Sequence, residues 1–375
     1  MSVKPSVLIL QRILPPYRLA LFQSLSKSPH FHMDLAYGQA APSSALESIS
    51  DPTKVSARPL TNLYFRGNEN LVYQKGVSKL LASRRYDTLI AEFNPRIITN
   101  VLAAFQAKRL GMRLIWWGHG IRPRSSSRAV KIYLALTKIA DAFLFYNEEG
   151  ADKMAALGVP REKLFIAWNS VDTDEIERLR QNQSLNERFR IVSIGRLIPE
   201  KKTDLLIRGF AAALPNLSPA TRLTIIGEGP ERAKLEALAA QCNLGDQVEF
   251  TGSLYEQEQL APYFNSAWVS VSSGYIGLSA IHSLAFGVPM LVAETEPHSP
   301  EIAAIEPDVN AVYFRSDDIP ALAAALTALA ANPAQWEAMS LAARRTIQQR
   351  FSIGAMLLSF EAAIQFAQRF STSEM

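Results

Sequence analysis

The sequence predicts an α/β protein built from two doubly wound halves, each a parallel sheet covered by helices. Three observations lead there. Short apolar runs alternate with amphipathic runs along most of the chain, and the alternation halts at one polar, charged stretch before it resumes. The chain also has 375 residues, too many for one core when domains of about 150 to 200 residues are the expectation. Strands and helices that alternate in this way form parallel sheets with helices on both faces.

In the first half, Val7 to Leu10 is a short apolar strand, followed by a Pro-Pro loop and the helical pattern Leu19 to Leu25. Phe31 to Ala36 is a second strand, and a polar loop containing Pro and Ser comes next. Val72 to Ser83 has helical spacing, Thr88 to Glu92 that of a strand, and Ile97 to Leu110 that of a helix. Arg113 to Trp117, Ala129 to Ala140 and Phe143 to Tyr146 continue as strand, helix and strand. Residues 1–170 therefore make one domain. The polar run Asp172 to Arg188 is expected as a linker, over residues 171–188, and a second domain fills 189–354. There Arg190 to Ile194, Leu223 to Ile226, Val248 to Phe250, Trp268 to Val271 and Met290 to Val292 are strands. Asp204 to Ala213 and Glu231 to Gln241 are helices.

Composition bounds the function. An apolar fraction of 48% and a charged fraction of 20% describe an ordinary globular chain. The single cysteine, Cys242, rules out an internal disulfide and fits a reducing compartment. The apolar run before Arg12 is too short for a signal peptide, and no run elsewhere is long enough to span a bilayer. The expectation is a cytoplasmic protein, soluble or peripheral on the inner face of a membrane. The net charge of +4 hides an asymmetry: residues 1–168 hold 23 Lys and Arg against 11 Asp and Glu, and the remainder holds 16 against 24. A basic half joined to an acidic half points the first toward an anionic membrane surface. No binding motif for nucleic acid accompanies the charge, so no nucleic-acid partner is expected.

In open parallel sheets the ligand crevice lies beyond the carboxyl ends of the strands, so the loops there carry the candidate chemistry. In the first half these are Tyr17 and Arg18, Glu92 and Asn94, and the histidine of Gly118-His119-Gly120, with Arg122, Arg124, Arg128 and Lys131 extending the basic character. In the second half three loops suit an anion. GRLIPEKK, Gly195 to Lys202, offers a guanidinium and two ammoniums. GEGP, Gly227 to Pro230, lets a ligand approach the backbone closely. SSGYIGLSAIHSLAFGVP, Ser272 to Pro289, is a tight loop feeding a helix N-terminus, where free amides and the dipole favour an anion. Three such loops in one domain point to a nucleotide diphosphate. No His/Cys cluster has ligand spacing.

The order IVSIGRLIPEKKTDLLIRGF, LTIIGEGPERAKLEALA, VEFTGSL, GYIGLSAIHSLAFGVPMLV resembles the C-terminal domain of the retaining glycosyltransferases of family 4, closely over residues 190–315. GVPREKLFIAWNSVD resembles, more loosely, the family's segment leading into the linker. The resemblance implies the GT-B fold, two Rossmann-like domains facing a central cleft, and a helix at about 355–375 that packs back on the first domain. It implies transfer of a sugar from a nucleotide-diphosphate donor to a polysaccharide or lipid-linked glycan acceptor, as in lipopolysaccharide biosynthesis, with no cofactor and no metal. Carried over by position, Gly195, Arg196 and Lys201 hold the diphosphate, and Gly227 and Glu228 border the nucleoside. The loop Gly274, Tyr275, Ile276, Gly277, Leu278 and Ser279 meets the distal phosphate and sugar, and His119 reaches the sugar. His119, Arg196 and Lys201 take the catalytic roles, and Tyr17, Arg18, Glu92 and Asn94 are acceptor-side candidates.

The chain departs from the family at one place. Where relatives carry Glu-x7-Glu, this sequence has Gly274 and His282. His282 can bond a ribose hydroxyl, or meet a phosphate when protonated, and Tyr275 or Glu301 can stand in for the lost carboxylate. The first loop, LQRILPPYR, also lacks the paired glycines of many members. A catalytically inactive sugar-nucleotide-binding or regulatory subunit is the alternative that these losses leave open, with a nucleotide-sugar epimerase behind it.

Overall fold

The computed structural model describes residues 4–41, 48–49, 55–65, 68–83, 85–121 and 126–369. Its contacts divide the chain into two units, Met1–Trp168 with Ile353–Met375, and Asn169–Ser352. The basic residues Arg122 and Arg124 and the chain beyond Arg369 lie outside the described residues.

Unit 1 is built on eight strands: β1 Ser6–Ile13, β2 His32–Gly38, β3 Ala57–Phe65, β4 Asn68–Lys75, β5 Thr88–Glu92, β6 Arg113–Gly118, β7 Ala142–Phe145 and β8 Leu164–Ile166. They lie in the order β4-β3-β2-β1-β5-β6-β7-β8. All neighbours are parallel except β3 and β4, which pair antiparallel at one edge. The central strands are continuous apolar runs, buried on both faces as a helix-covered parallel sheet requires. The strand order reverses between β1 and β5, both of which pair in parallel register. Loops leaving their carboxyl ends diverge there and open a crevice.

The helix Ile353–Arg369 completes unit 1. It packs on the helix Leu19–Ser26 and on β6, β7 and β8. Its Phe360 is fully buried, edge-on to Trp117 at 4.9 Å. By length and composition the stretch Pro333–Arg369 could cross a membrane. In the fold it divides at Ser352, whose extended backbone separates a helix of unit 2 from this helix of unit 1.

Unit 2 holds six parallel strands: β9 Arg190–Ile194, β10 Arg222–Ile226, β11 Val248–Gly252, β12 Ala267–Ser272, β13 Met290–Ala293 and β14 Ala311–Phe314. Their order is β11-β10-β9-β12-β13-β14, so the reversal falls at β9, between β10 and β12. Apolar side chains of these strands meet the helices Thr203–Ala213 and Ile319–Ala330 in one core around Phe210, Leu322 and Trp336.

Three segments differ from the sequence reading. Val72 to Ser83, expected as one helix, is the end of β4 followed by the short helix Val77–Ala82. Gly76, at φ 97°, breaks the two apart. The loop expected before it contains β3, whose exposed polar residues disguise a strand near the sheet edge. The run 171–188, expected as a linker, instead folds into unit 2. It holds the helix Thr173–Leu179, which Asp172 caps at the Glu175 amide and which buries Ile176 completely. Asp174, Glu177, Arg178 and Glu187 face solvent, which made it read as a connection, while Arg188 is buried.

Candidate functional site

The reversal at β9 places two of the anion-suited loops side by side in unit 2. Ser193, Gly195, Arg196, Lys201, Thr203, Ser272 and Ser279 all line one open recess. The turn Pro199–Lys201 and the loop after β12 are clasped together by hydrogen bonds. Tyr275 N–H donates to Glu200 O at 2.8 Å, and Lys201 Nζ donates to Tyr275 O at 2.7 Å. Ser273 Oγ donates to the carbonyls of Lys202, at 2.7 Å, and Lys201. The third loop joins through Gly227, where a Cβ would stand 1.9 Å from Gly195 O. Only glycine fits that crossing.

Gly274 sits at the tightest point of the clasp. A Cβ there would lie 2.3 Å from Glu200 O and 2.8 Å from Lys201 C. Those are backbone atoms that cannot swing aside. The loop's path therefore leaves no room for a side chain at this position.

Lys201 and Arg196 are held near each other without an anion. The Arg196 guanidinium is exposed and makes no hydrogen bond or ion pair among the described residues. Burial, and then the Arg196 charge, push the Lys201 ammonium down to about 8, against a weaker opposing pull from Glu301. Lys202, expected as a second free ammonium, is engaged elsewhere, with Glu296 at 2.7 Å and Asp317 at 2.8 Å. The recess is thus served by one lysine.

Two amides of the 275–279 loop are already bonded, that of Tyr275 as above and that of Ile276 to His298 Nδ1 at 3.1 Å. Those of Gly277, Leu278 and Ser279, where the helix Ser279–Ala285 begins, have no partner among the described residues. His282 lies on that helix against the Phe264 ring at 6.4 Å. Burial pushes its imidazole down to about 4, so it is neutral at physiological pH and meets no phosphate as a cation. Its Nδ1 is buried without a partner among the described residues. Glu301 is 6% exposed; Asn169 Nδ2 donates to one oxygen at 2.8 Å and the Ser299 hydroxyl to the other. Glu228 is half exposed at the end of β10 and ion-paired with Arg232.

In unit 1 the acceptor-side candidates gather beyond β1 and β5. Arg18 is not a free surface cation. Its Nη1 donates to Gln11 and its Nη2 to the Tyr146 hydroxyl. Its guanidinium lies 4.5 Å from the Trp117 ring centroid, 5.5 Å from Tyr146 and 5.7 Å from Tyr17. Glu92 accepts the Arg12 amide at 3.2 Å, and Asn94 accepts the Arg96 amide at 3.2 Å to shape its own turn. His119 is exposed after β6, its ring 4.7 Å from Tyr146. Sequence reasoning missed Gln11, Trp117 and Tyr146 here, and Asn169, His298 and Ser299 in unit 2. Gln11 had a signal, a polar residue inside the apolar run SVLILQRI.

Two Rossmann-like units with strand-end sites define the GT-B fold. The crystal structure of HepE from Anabaena in complex with UDP shares it, with a TM-score of 0.69 at 16% identity, over 99% of this chain and all of that one. Residues 175–346, most of unit 2, match the family described as Glycosyl transferases group 1. The GDP-mannose-dependent alpha-(1-6)-phosphatidylinositol dimannoside mannosyltransferase of Mycobacterium tuberculosis is 37% identical over 121 residues, 32% of this chain and 30% of that protein. The corresponding monomannoside mannosyltransferase of Mycolicibacterium smegmatis is 28% identical over 224 residues, 55% and 57% of the two chains. The matches thus span less than two thirds of those relatives' length.

Two predictions follow from the clasp. Gly274→Glu should lower the unfolding free energy by about 1–3 kcal/mol through overpacking and weaken nucleotide binding. A variant that is as stable as the parent and turns over faster would overturn the steric argument. A phosphate ligand of Lys201 needs the ammonium, which is lost as pH rises through about 8. Calorimetric affinity for UDP or GDP should therefore fall about tenfold between pH 7 and 9. Lys201→Arg, whose guanidinium stays charged, should flatten that profile.

Proposed function

We propose that the chain is a glycosyltransferase that moves a sugar from a nucleotide-diphosphate donor to a glycan or lipid-linked acceptor, with retention at the anomeric carbon and without a metal. One observation carries the reading: Arg196 and the half-buried Lys201 stand together, with no ion-pair partner among the described residues, at the strand reversal of unit 2. Holding two cations together is unfavourable until an anion arrives, and a diphosphate supplies the matching charge.

On this reading the bond between the anomeric carbon and the β-phosphate oxygen breaks as charge builds on the departing diphosphate. Arg196, Lys201 and the free amides of Gly277 to Ser279 stabilise that charge, the large term in such transfers. The acceptor hydroxyl attacks the same face and passes its proton to the leaving phosphate oxygen. His119 contacts the donor sugar, the role that the resemblance gives it. His282, neutral, is suited to a ribose hydroxyl. Among the described residues no group of three or more His, Cys, Asp or Glu side chains is arranged to hold a metal, and the two cations can neutralise the leaving group themselves.

The names of the two mannosyltransferases favour a GDP-linked hexose and a phospholipid-linked acceptor, whereas HepE is bound to UDP. A second reading, a binding subunit without turnover, is favoured by the glycine forced at position 274. Calorimetry with UDP, GDP and dTDP, followed by turnover of the matching nucleotide sugars in EDTA, separates them. Micromolar binding of one nucleotide, lost in Arg196→Ala and followed by EDTA-resistant sugar transfer, supports the enzyme. Binding without turnover supports the second reading, and no binding sinks both.

Peripheral membrane association through unit 1 belongs to the same proposal. Leu63 and Phe65 on β3, and Leu102 and Phe105 on the helix Ile98–Arg109, are exposed apolar side chains in a half rich in Lys and Arg. Such a surface is attracted to anionic lipid by about 1 kcal/mol per basic residue. The chain should co-sediment with phosphatidylglycerol vesicles at low salt and be released by about 0.5 M salt. Failure to sediment at low salt overturns the association.

A further inference from the structure

The loop that leaves β12 is held on two sides. On one side lies the clasp to the turn after β9, which takes both the N–H and the C=O of Tyr275. On the other lies the turn at 298–299, which takes both groups of Ile276. The Ile276 N–H donates to His298 Nδ1 at 3.1 Å, and the Ser299 N–H donates to Ile276 O at 3.2 Å. Ile276 is 0% exposed, so its amide finds no water to replace the histidine if that bond is lost. The amides of Gly277, Leu278 and Ser279, without partners among the described residues, come directly after these held groups.

The partners of the His298 ring fix its protonation. The Ile276 N–H can only donate, so Nδ1 must offer a lone pair. Nε2 lies 3.2 Å from Ala293 O, which can only accept, so Nε2 carries the hydrogen. That neutral tautomer satisfies both partners, and no other form of the ring does. An imidazolium would set Nδ1–H against the Ile276 N–H, two donors face to face. Burial holds the proton affinity of the ring below the ordinary histidine value. The Ala293 carbonyl and Glu296 pull it back up, and Lys201 pushes it further down. Glu296 is itself ion-paired with Lys202 at 2.7 Å, and Glu301 is taken up by Asn169 and Ser299.

We propose that His298 is the positioning residue of the donor-side loop: as a neutral imidazole it holds the Ile276 amide and thereby aims the amides of Gly277 to Ser279 into the recess. The bond needs an unprotonated Nδ1. It is therefore complete above the ordinary histidine range and is lost as pH falls below about 6. The inference rests on the donor reading above and deepens it, by naming the side chain that sets the loop's path.

The test compares the full chain with His298→Ala and with His298→Asn, whose side-chain oxygen can take the place of Nδ1 and accepts at every pH. Amide hydrogen exchange across residues 274–279, without ligand at pH 7, should speed up about fivefold or more in His298→Ala, the worth of one hydrogen bond. In His298→Asn it should stay near the parent's rate. Between pH 7 and 5 the parent's exchange, divided by that of His298→Asn at the same pH, should rise, because only the parent loses its acceptor. The ratio cancels the pH dependence of exchange itself. Calorimetric affinity for UDP or GDP, whichever the parent binds, should fall by a similar factor in His298→Ala and recover in His298→Asn. Unchanged exchange in His298→Ala, no rescue by His298→Asn, a flat ratio, or equal nucleotide affinity in the parent and His298→Ala would overturn the proposal. If His298→Ala does not fold, the ratio of parent to His298→Asn decides alone. A parent chain that shows the exchange pattern yet binds no nucleotide upholds the loop assignment and sinks the transferase reading, so the two failures are distinguishable.

Discussion

The close approach of two backbone segments governs the site in unit 2. The loop that leaves β12 passes so near the turn after β9 that position 274 has no room for a side chain. Everything around it follows from that proximity. The Tyr275 amide reaches Glu200, the Lys201 ammonium reaches the Tyr275 carbonyl, and Ser273 ties off the turn. The same contact keeps Lys201 half-buried beside Arg196, which is why its ammonium is easier to deprotonate than an ordinary lysine. A loop held this firmly presents its remaining amides to the recess with little freedom to lose on binding.

Unit 1 is organised differently, around a cation held by aromatic faces and neutral hydrogen-bond acceptors. Arg18 joins the turn after β1 to the ends of β6 and β7 through Trp117 and Tyr146. The Ile353–Arg369 helix supports that corner from behind, where Phe360 meets Trp117. The last segment of the chain therefore helps to position residues that lie more than two hundred positions earlier. The two units share a plan, a parallel sheet whose order reverses at a central strand. One opens onto cations without an ion-pair partner among the described residues, and the other holds a braced arginine.

Much of this was legible from residues alone. Short apolar runs located β5 and β9 to the residue, because the middle of a helix-covered parallel strand is apolar on both faces. GRLIPEKK and GYIGLS marked the loops at the unit 2 recess for the same reason, since they interrupt those runs at their carboxyl ends. Segments with one face in solvent were harder. β3 read as loop and 171–188 as linker, because most of their charged and polar residues lie on the exposed side of a folded element.

The sequence by itself determined the two α/β halves and the three anion-suited loops of the second, with Gly274 and His282 in the last of them. Each of these depends on neighbours in the chain, through hydrophobic period, turn chemistry and motif order. Only the tertiary structure decided that Lys202 is tied to Glu296 and Asp317 while Lys201 faces the recess. It also decided that His282 stays neutral, that Arg18 is braced, and that position 274 admits nothing larger than glycine. Those outcomes turn on burial and on partners distant in the chain, and neither is written into local sequence pattern.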